Sequence, residues 1–288
     1  MRILALLLLF FSCSQWTPKE VAPRDPASWH SCFELLDGLV HRSTSVYTTP
    51  KSRIANAQNL KELEDAYGNE SFFHLQQRLT DQEIVANNEA LVTLLNREPL
   101  TQAHVNKTPR IHSEQAQELY QDMVSTPCVR NDSPYQRPGV ALGYCFGRAI
   151  VSHFHALRRE VDPRSMKKIW VVGKMRGDWG HHVAFMIKGE DNLWYVIDNV
   201  TGVVTHDKWI ERLKGFQLPG KNIMFFVSEA ARFGPDNNRT YHTIDLFNLS
   251  GPQWQQYSKE DDFYKGFFRD FFDWLDKQPI PQPFGSNQ

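Results

Sequence analysis

"HHVAFMIKGEDNLWYVIDN" spans His181 to Asn199. Two apolar runs rich in aromatic and β-branched residues, "HHVAFMIK" and "LWYVID", flank the short polar loop "GEDN". That pattern predicts a β-hairpin. Upstream, "KKIWVVGK" (167–174) reads as a further strand, and downstream "NIMFFVSE" (222–229) reads as the fourth. Between them "THDKWIERL" predicts a short helix with Thr205 as N-cap and Trp209, Ile210 and Leu213 packing inward. Before the sheet, "GYCFGRAIVSHF" (143–154) opens an amphipathic helix. Phe146, Ala149, Ile150, Phe154 and Leu157 form its apolar face, with Arg148, Arg158 and Arg159 largely off it. Asp162-Pro163 ends it.

From Trp29 to about Met123 the texture is helical. "CFELLDGLVHR" carries Phe33, Leu36 and Val40 on one stripe, and "EALVTLLNREPL" carries Leu91, Leu94 and Leu95. "SEQAQELYQDM" predicts another helix, with Ser113 as cap. The chain closes on "DDFYKGFFRDFFDWLDK", where Phe263, Phe267, Phe271 and Trp274 form a core-packing stripe. Helices, then a cysteine-bearing helix, then an antiparallel sheet make an α+β fold. The organisation read from this is a signal over 1–13, a tether over 14–28, a helical region over 29–125 and a catalytic domain over 126–288.

The chain has 288 residues, with 32 Lys and Arg against 33 Asp and Glu. That balance gives no electrostatic case for nucleic acid. At the start, one Arg precedes nine apolar residues, Ile3 to Phe11, too few to span a bilayer but fitting an export signal. Ser12-Cys13 resembles a lipoprotein signal in which Cys13 is lipidated, so the expectation is an exported, membrane-anchored lipoprotein of the bacterial envelope; the alternative is plain secretion. Ser14 to Ala27 holds three prolines and mixed charges, as a tether would. Export favours disulfides. Beyond Cys13, three cysteines remain, an odd number. The economical reading pairs Cys32 with Cys128 and leaves Cys145 free; the other keeps all three as reduced, buried thiols.

A free cysteine becomes a nucleophile when its thiolate is stabilised by a helix N-terminus or a cationic His. Gly143-Tyr144 suits the turn into the helix, which sets Cys145 at the positive end of its dipole. Backbone N–H groups there are natural oxyanion donors. The hairpin offers the base and the group that orients it. If His182 faces Asp198, the loop has three residues, Gly189 to Asp191, a common length, and the two side chains project to the same side. The same register places His181 opposite Asn199 on the other face. A four-residue loop aligns His182 with Asn199 instead. His181 is therefore the alternative base and Asn199 the alternative orienter, as Asn is in papain-like sites. Trp179 shields the site, binds substrate or belongs to the core. Arg148, His153 and His155 read as structural, and no ligand spacing around His153 suggests zinc.

The order Cys, His, Asp on helix, strand and strand resembles the papain-like and transglutaminase-like superfamily. Within it, the chain is most similar to bacterial protein-glutaminases, the protein-glutamine deamidases. "GYCFGRA" looks like that family's nucleophile stretch, "KKIWVVGK" like one of its strands, and "HHVAFMI", "WYVIDN" and "DKWI" like its His-Val-Ala strand, Ile-Asp-Pro strand and Trp-bearing helix. The resemblance covers about Ser133 to Glu229. It implies Cys145 as nucleophile, His182 as base and Asp198 as orienter. It implies a protein or peptide substrate with exposed glutamine, and no cofactor. Those enzymes carry a pro-region, a part the N-terminal helices would play by analogy. The chain departs from the family at Gly147, usually Ala, at Ile150, usually His, and at Asn199, usually Pro. Related outcomes of the same first step are transglutamination and cysteine or NlpC/P60-type peptidoglycan endopeptidase cleavage. Those endopeptidases usually carry Asp where Tyr144 stands. A different class altogether is a non-enzymatic envelope lipoprotein on a degenerate papain-like scaffold.

Overall fold

The computed structural model of the chain describes residues 54–68, 70–97, 111–130, 132–133, 145–177, 179–236, 240, 267 and 270–284. The expectations for the signal, Cys13, the tether, Cys32, the first helical stripe, Phe263 and Tyr144 lie outside the described residues.

The architecture is α+β, built on a five-stranded antiparallel sheet. The helices are α1 (Leu60–Tyr67), α2 (Phe72–Arg78), α3 (Asp81–Arg97), α4 (Ser113–Ser125), α5 (Cys145–Arg158) and α6 (His206–Lys214). The strands are β1 (Met166–Val172), β2 (His181–Lys188), β3 (Trp194–Asp198), β4 (Gly202–Thr205) and β5 (Met224–Glu229), in the spatial order β4-β3-β2-β1-β5. The sequence predicted four strands. The fifth, β4, is a half-buried four-residue edge strand that runs straight into α6, and it gives too short a pattern to read. No helix among the described residues is long and apolar enough to cross a membrane.

The hairpin register differs from the expected one. Phe185 pairs with Ile197 and Lys188 with Trp194, so the loop runs over five residues, 189–193. Leu193, read as strand, belongs to this loop: its N–H donates to Asp191 Oδ1 at 3.0 Å. Asn192 takes a left-handed φ of 65°, and its N–H donates to the Gly189 carbonyl. His182 and Asp198 are therefore not direct partners. The shift is two residues, however, and side chains alternate with period two, so both still project to one side.

Thr48–Gln288 form one compact unit. The N-terminal helices are built into the sheet. Asn88 Nδ2 donates to the Ile223 carbonyl at 3.0 Å, Asn88 Oδ1 accepts from Phe225 N–H at 2.8 Å, and Asn87 Nδ2 donates to the Phe225 carbonyl at 3.0 Å. Two side-chain amides thus take the place of a neighbouring strand along the β5 edge, which covers groups that would otherwise template association. Phe72 of α2 stacks on Phe226 at 4.1 Å and meets Trp170 edge-on at 5.8 Å. The cap of α4 lies one residue before the expected Ser113: His112 is the N-cap, and its N–H donates to Gln115 Oε1.

α5 lies against β2 and β3. Its central residues are buried, but Leu157, placed on the apolar face, is 36% exposed, and Arg148, placed largely off it, is 3% exposed. Burial of Arg148 is compensated by its Nε donating to the Val129 carbonyl at 3.1 Å. Of the closing segment, residues 270–275 are helical, and Phe271 and Phe272 meet Phe154 of α5 edge-on. Phe267 lies so close that a Cβ at Gly147 would stand 2.9 Å from its Cζ. That approach accounts for Gly, where the resembled family has Ala. Cys128 is a free, buried thiol, so the expected Cys32–Cys128 bridge is not formed. Burial, with Asp270 near, pushes its pKa up to about 11, which makes it an inert small hydrophobe.

Candidate active site

Cys145 is the first residue of α5, where the leading N–H groups have no intrahelical acceptor and the dipole is positive. It is 7% exposed. Burial opposes ionisation of its thiol, but hydrogen bonds from the His181 and His182 side chains and the charge of both rings overcome it. The thiol is held down at about 5, from an ordinary 9.0. Two more basic side chains couple to the sulfur: Arg148, one turn along α5, and Lys168 of β1, whose own pKa burial drives well below the ordinary lysine value.

His182 is 1% exposed. Its Nε2 lies 3.0 Å from Asp198 Oδ2 and 3.1 Å from Oδ1. With Nε2 taken up by the carboxylate, Nδ1 is left for the sulfur. Burial opposes protonation of this ring. The facing Asp198 charge and the hydrogen bonds to Asp198 and Cys145 outweigh it and hold the pKa up at about 10. Thiol down and imidazole up describe a thiolate–imidazolium pair, the reactive form of a cysteine nucleophile.

Asp198 ends β3 and is 3% exposed. Its carboxylate is satisfied on all sides. Trp209 Nε1 of α6 donates to Oδ2 at 2.8 Å, Val200 N–H donates to Oδ1 at 3.2 Å, and Thr201 Oγ1 stands 3.5 Å from Oδ2. Burial would raise its pKa, but the His182 charge and these donors hold it below the ordinary carboxylate value. The indole of Trp209 also stacks on His182, with centroids 6.0 Å apart and planes at 21°. One residue therefore fixes both members of the pair.

The alternatives fall out differently. Asn199 makes no hydrogen bond to His182 among the described residues, and its Oδ1 is buried without a partner. His181, by contrast, is one of the two histidines that lower the thiol pKa. Its ring meets Phe73 of α2 edge-on at 5.5 Å. Trp179 is half-buried, 5.4 Å from the His182 ring and stacked on Phe216 at 5.3 Å. It walls the imidazole together with Trp209. His153 stacks on Phe185, and His155 Nε2 is 2.9 Å from Thr126 Oγ1, both away from the thiol.

Three contributors were not read from the sequence as site residues. Trp209 was read only as packing inward; its indole N–H meets Asp198 because α6 folds back over β3. Phe73 comes from the helical region far upstream. Lys168 was hidden in an apolar-looking strand. Among the described residues no group of three or more His, Cys, Asp or Glu is placed to hold a metal ion. A cleft of about 590 Å³ lined by Lys61, Glu64, Lys167 and Arg232 lies beside the start of β1 and the end of β5, and Cys145 is not among its lining residues.

Compared with protein-family models, with curated proteins and with solved structures, the chain matches none.

Proposed function

We propose that this chain is a cysteine hydrolase on a papain-like or transglutaminase-like scaffold, which converts the side-chain carboxamide of protein glutamine to glutamate and ammonia. The observation that carries the reading is the buried constellation of Cys145 at the start of α5, its thiol pKa lowered by the neighbouring His182, with His182 Nε2 held by Asp198 at 3.0 Å. The preference for glutamine over other amides rests on the motif resemblance around Cys145, His182 and Asp198. Trp209, whose N–H braces Asp198, lies in the "DKWI" stretch that forms part of it.

In this reading the Cys145 thiolate attacks the carboxamide carbon and forms a C–S bond. The oxyanion sits on the leading N–H groups of α5. His182 gives its proton to the departing nitrogen, the C–N bond breaks, and ammonia leaves. Water then adds to the thioester, His182 takes its proton, and the C–S bond breaks with the electron pair returning to sulfur. Asp198 keeps the ring oriented and its cationic form stable throughout. The same proposal has the protein exported and anchored through Cys13.

The test is ammonia release from casein by the wild-type protein beside Cys145→Ala. Release by wild type alone, with the casein chains intact on a gel, supports the deamidase. Chain cleavage points to a peptidase, and amine incorporation to a transglutaminase. Absence of all three from wild type, on casein and on peptidoglycan fragments, would sink the enzymatic reading.

A further inference from the structure

The link from β1 to β2 is tied down along its length. Gly173 N–H donates to the Gly180 carbonyl at 2.9 Å, Met175 N–H to the Trp179 carbonyl at 3.0 Å, and Arg176 N–H to the Phe216 carbonyl at 2.8 Å. Met175, itself buried, also bridges Gln217 just past α6. Gly177 turns the chain at a left-handed φ of 76°, which glycine takes without a Cβ penalty. These constraints fix one indole. Trp179 stands against Phe216 with planes at 7° and centroids 5.3 Å apart, and against the His182 ring at 5.4 Å and 30°.

Core packing alone does not account for that ring, since Trp179 is only half-buried. Three side chains hold the His182 imidazole: Asp198, Trp209 and Trp179. Asp198 and Trp209 are buried, and of the three Trp179 alone borders solvent. The imidazole itself is 1% exposed and Cys145 is 7% exposed. The pair is thus more open at the sulfur than over the base.

We propose that Trp179, backed by Phe216, is a specificity residue that limits the site to primary carboxamides. The inference deepens the cysteine-hydrolase reading and rests on it. In that reading the leaving nitrogen takes its proton from His182, so it departs beside the imidazole. The nitrogen of a primary carboxamide carries only hydrogen, and it leaves as ammonia. The nitrogen of a peptide bond or an N-alkyl amide carries a chain, which has to run past the rings around His182. The indole stands on the solvent side of those rings, and Phe216 behind it keeps it from leaning away. A glutamine side chain therefore reaches the sulfur and reacts, while a substituted amide meets the indole.

The test compares two amides that give the same product. One substrate is the peptide acetyl-Gly-Gln-Gly with a free C-terminus, which loses ammonia. The other is its γ-N-propylamide, which loses propylamine. Formation of the shared glutamate peptide is followed by mass spectrometry with the full chain. Wild type is expected to favour the primary amide by about 100-fold, the scale of steric discrimination in an apolar pocket. Trp179→Ala is expected to narrow that gap by about tenfold or more. Phe216→Ala, which removes the backing ring, is expected to narrow it in the same direction and serves if Trp179→Ala does not fold. Any general loss from disturbing His182 falls on both substrates and leaves the ratio alone, and the intrinsic difference between the two amides is common to every variant. A ratio unmoved in both variants overturns the inference. So does a wider gap, which would make the indole a binding surface for the leaving group. If wild type converts neither amide, the deamidase reading falls and takes the inference with it. If wild type converts the primary amide and the ratio does not move, the inference falls alone.

Discussion

His182 Nε2 lies 3.0 Å from Asp198 Oδ2, although the two residues are not partners in the β2–β3 ladder. They meet diagonally, on the same side of the sheet, with the shorter Asp198 side chain braced from behind by Trp209. Asp198→Asn keeps the shape and removes the charge that holds His182 cationic. The imidazolium then loses its main favourable partner and the thiolate loses its counter-ion. The expected result is an upward shift of the Cys145 alkylation inflection from about 5. Ammonia release is expected to fall by something on the order of 10⁴, by comparison with carboxylate-to-amide changes in catalytic triads. Unchanged alkylation at pH 6 would remove Asp198 from the site.

Trp209→Phe separates the indole's two tasks. The ring that stacks on His182 is retained, and the N–H that donates to Asp198 at 2.8 Å is lost. A buried carboxylate left short of one donor costs about 1.5–3 kcal/mol. Urea denaturation is expected to show that loss, with a smaller effect on alkylation than Asp198→Asn. A loss of well under about 0.5 kcal/mol would mean another group takes over the carboxylate.

Parity explains why the pair was readable from sequence when the register was not. Any even shift of the hairpin leaves His182 and Asp198 on one side, so the wrong loop length did not hide them. The loop itself was misjudged because Leu193 looks like strand and lies in a turn set by Asn192 at positive φ. β2 was read to its true ends because seven of its eight residues are buried. Phe73 carried no signal, because its role depends on where α2 folds back, and Trp209 was legible only as part of the "DKWI" likeness, not as the donor to Asp198. The papain-like likeness lies in motif order alone, which names chemistry but not the packing of residues 54–97.

Gly147→Ala tests the close packing behind the nucleophile. Alanine favours a helix over glycine by up to about 1 kcal/mol. Here its Cβ would stand 2.9 Å from Cζ and 3.2 Å from Cε1 of Phe267, a ring with no exposed surface to move into. Overpacking of this kind costs about 1–3 kcal/mol, so the net effect is expected to be destabilising. Phe267→Leu in the same chain is expected to recover part of the loss. Additivity of the two changes in a double-mutant cycle would show that the contact does not limit position 147.

Asn88→Ala tests whether α3 is part of the sheet. The change strips an acceptor from Phe225 N–H and a donor from the Ile223 carbonyl at once. With about 1 kcal/mol or more for each lost bond, a drop of about 2–3 kcal/mol is expected. The opened β5 edge is expected to raise aggregation on heating. A stability equal to wild type would mean the helical region is merely apposed to the edge.

The last expectation concerns pH and follows from the opposed titrations of Cys145 and His182. The His182 pKa is raised from 6.5 to about 10, so its contribution is complete below about 6.5 and is lost as pH rises through 10. The Cys145 pKa is lowered from 9.0 to about 5, so its contribution is complete above about 9 and is lost as pH falls through 5. Between those unfolded-state values, folding takes up a proton at His182 and releases one at Cys145. The two slopes cancel, and this pair leaves wild-type stability flat with pH. Cys145→Ala removes one slope and keeps the other, because Asp198 still faces His182. The variant is then expected to lose stability relative to wild type from pH 7 to pH 8.5, at a rate approaching about 1.4 kcal/mol per pH unit. The comparison is made between two proteins that share every other titrating group, so those groups drop out of the difference. Urea midpoints that stay parallel across this range would mean that the folded protein holds a neutral thiol beside a neutral imidazole, and the site would then lack its reactive ion pair.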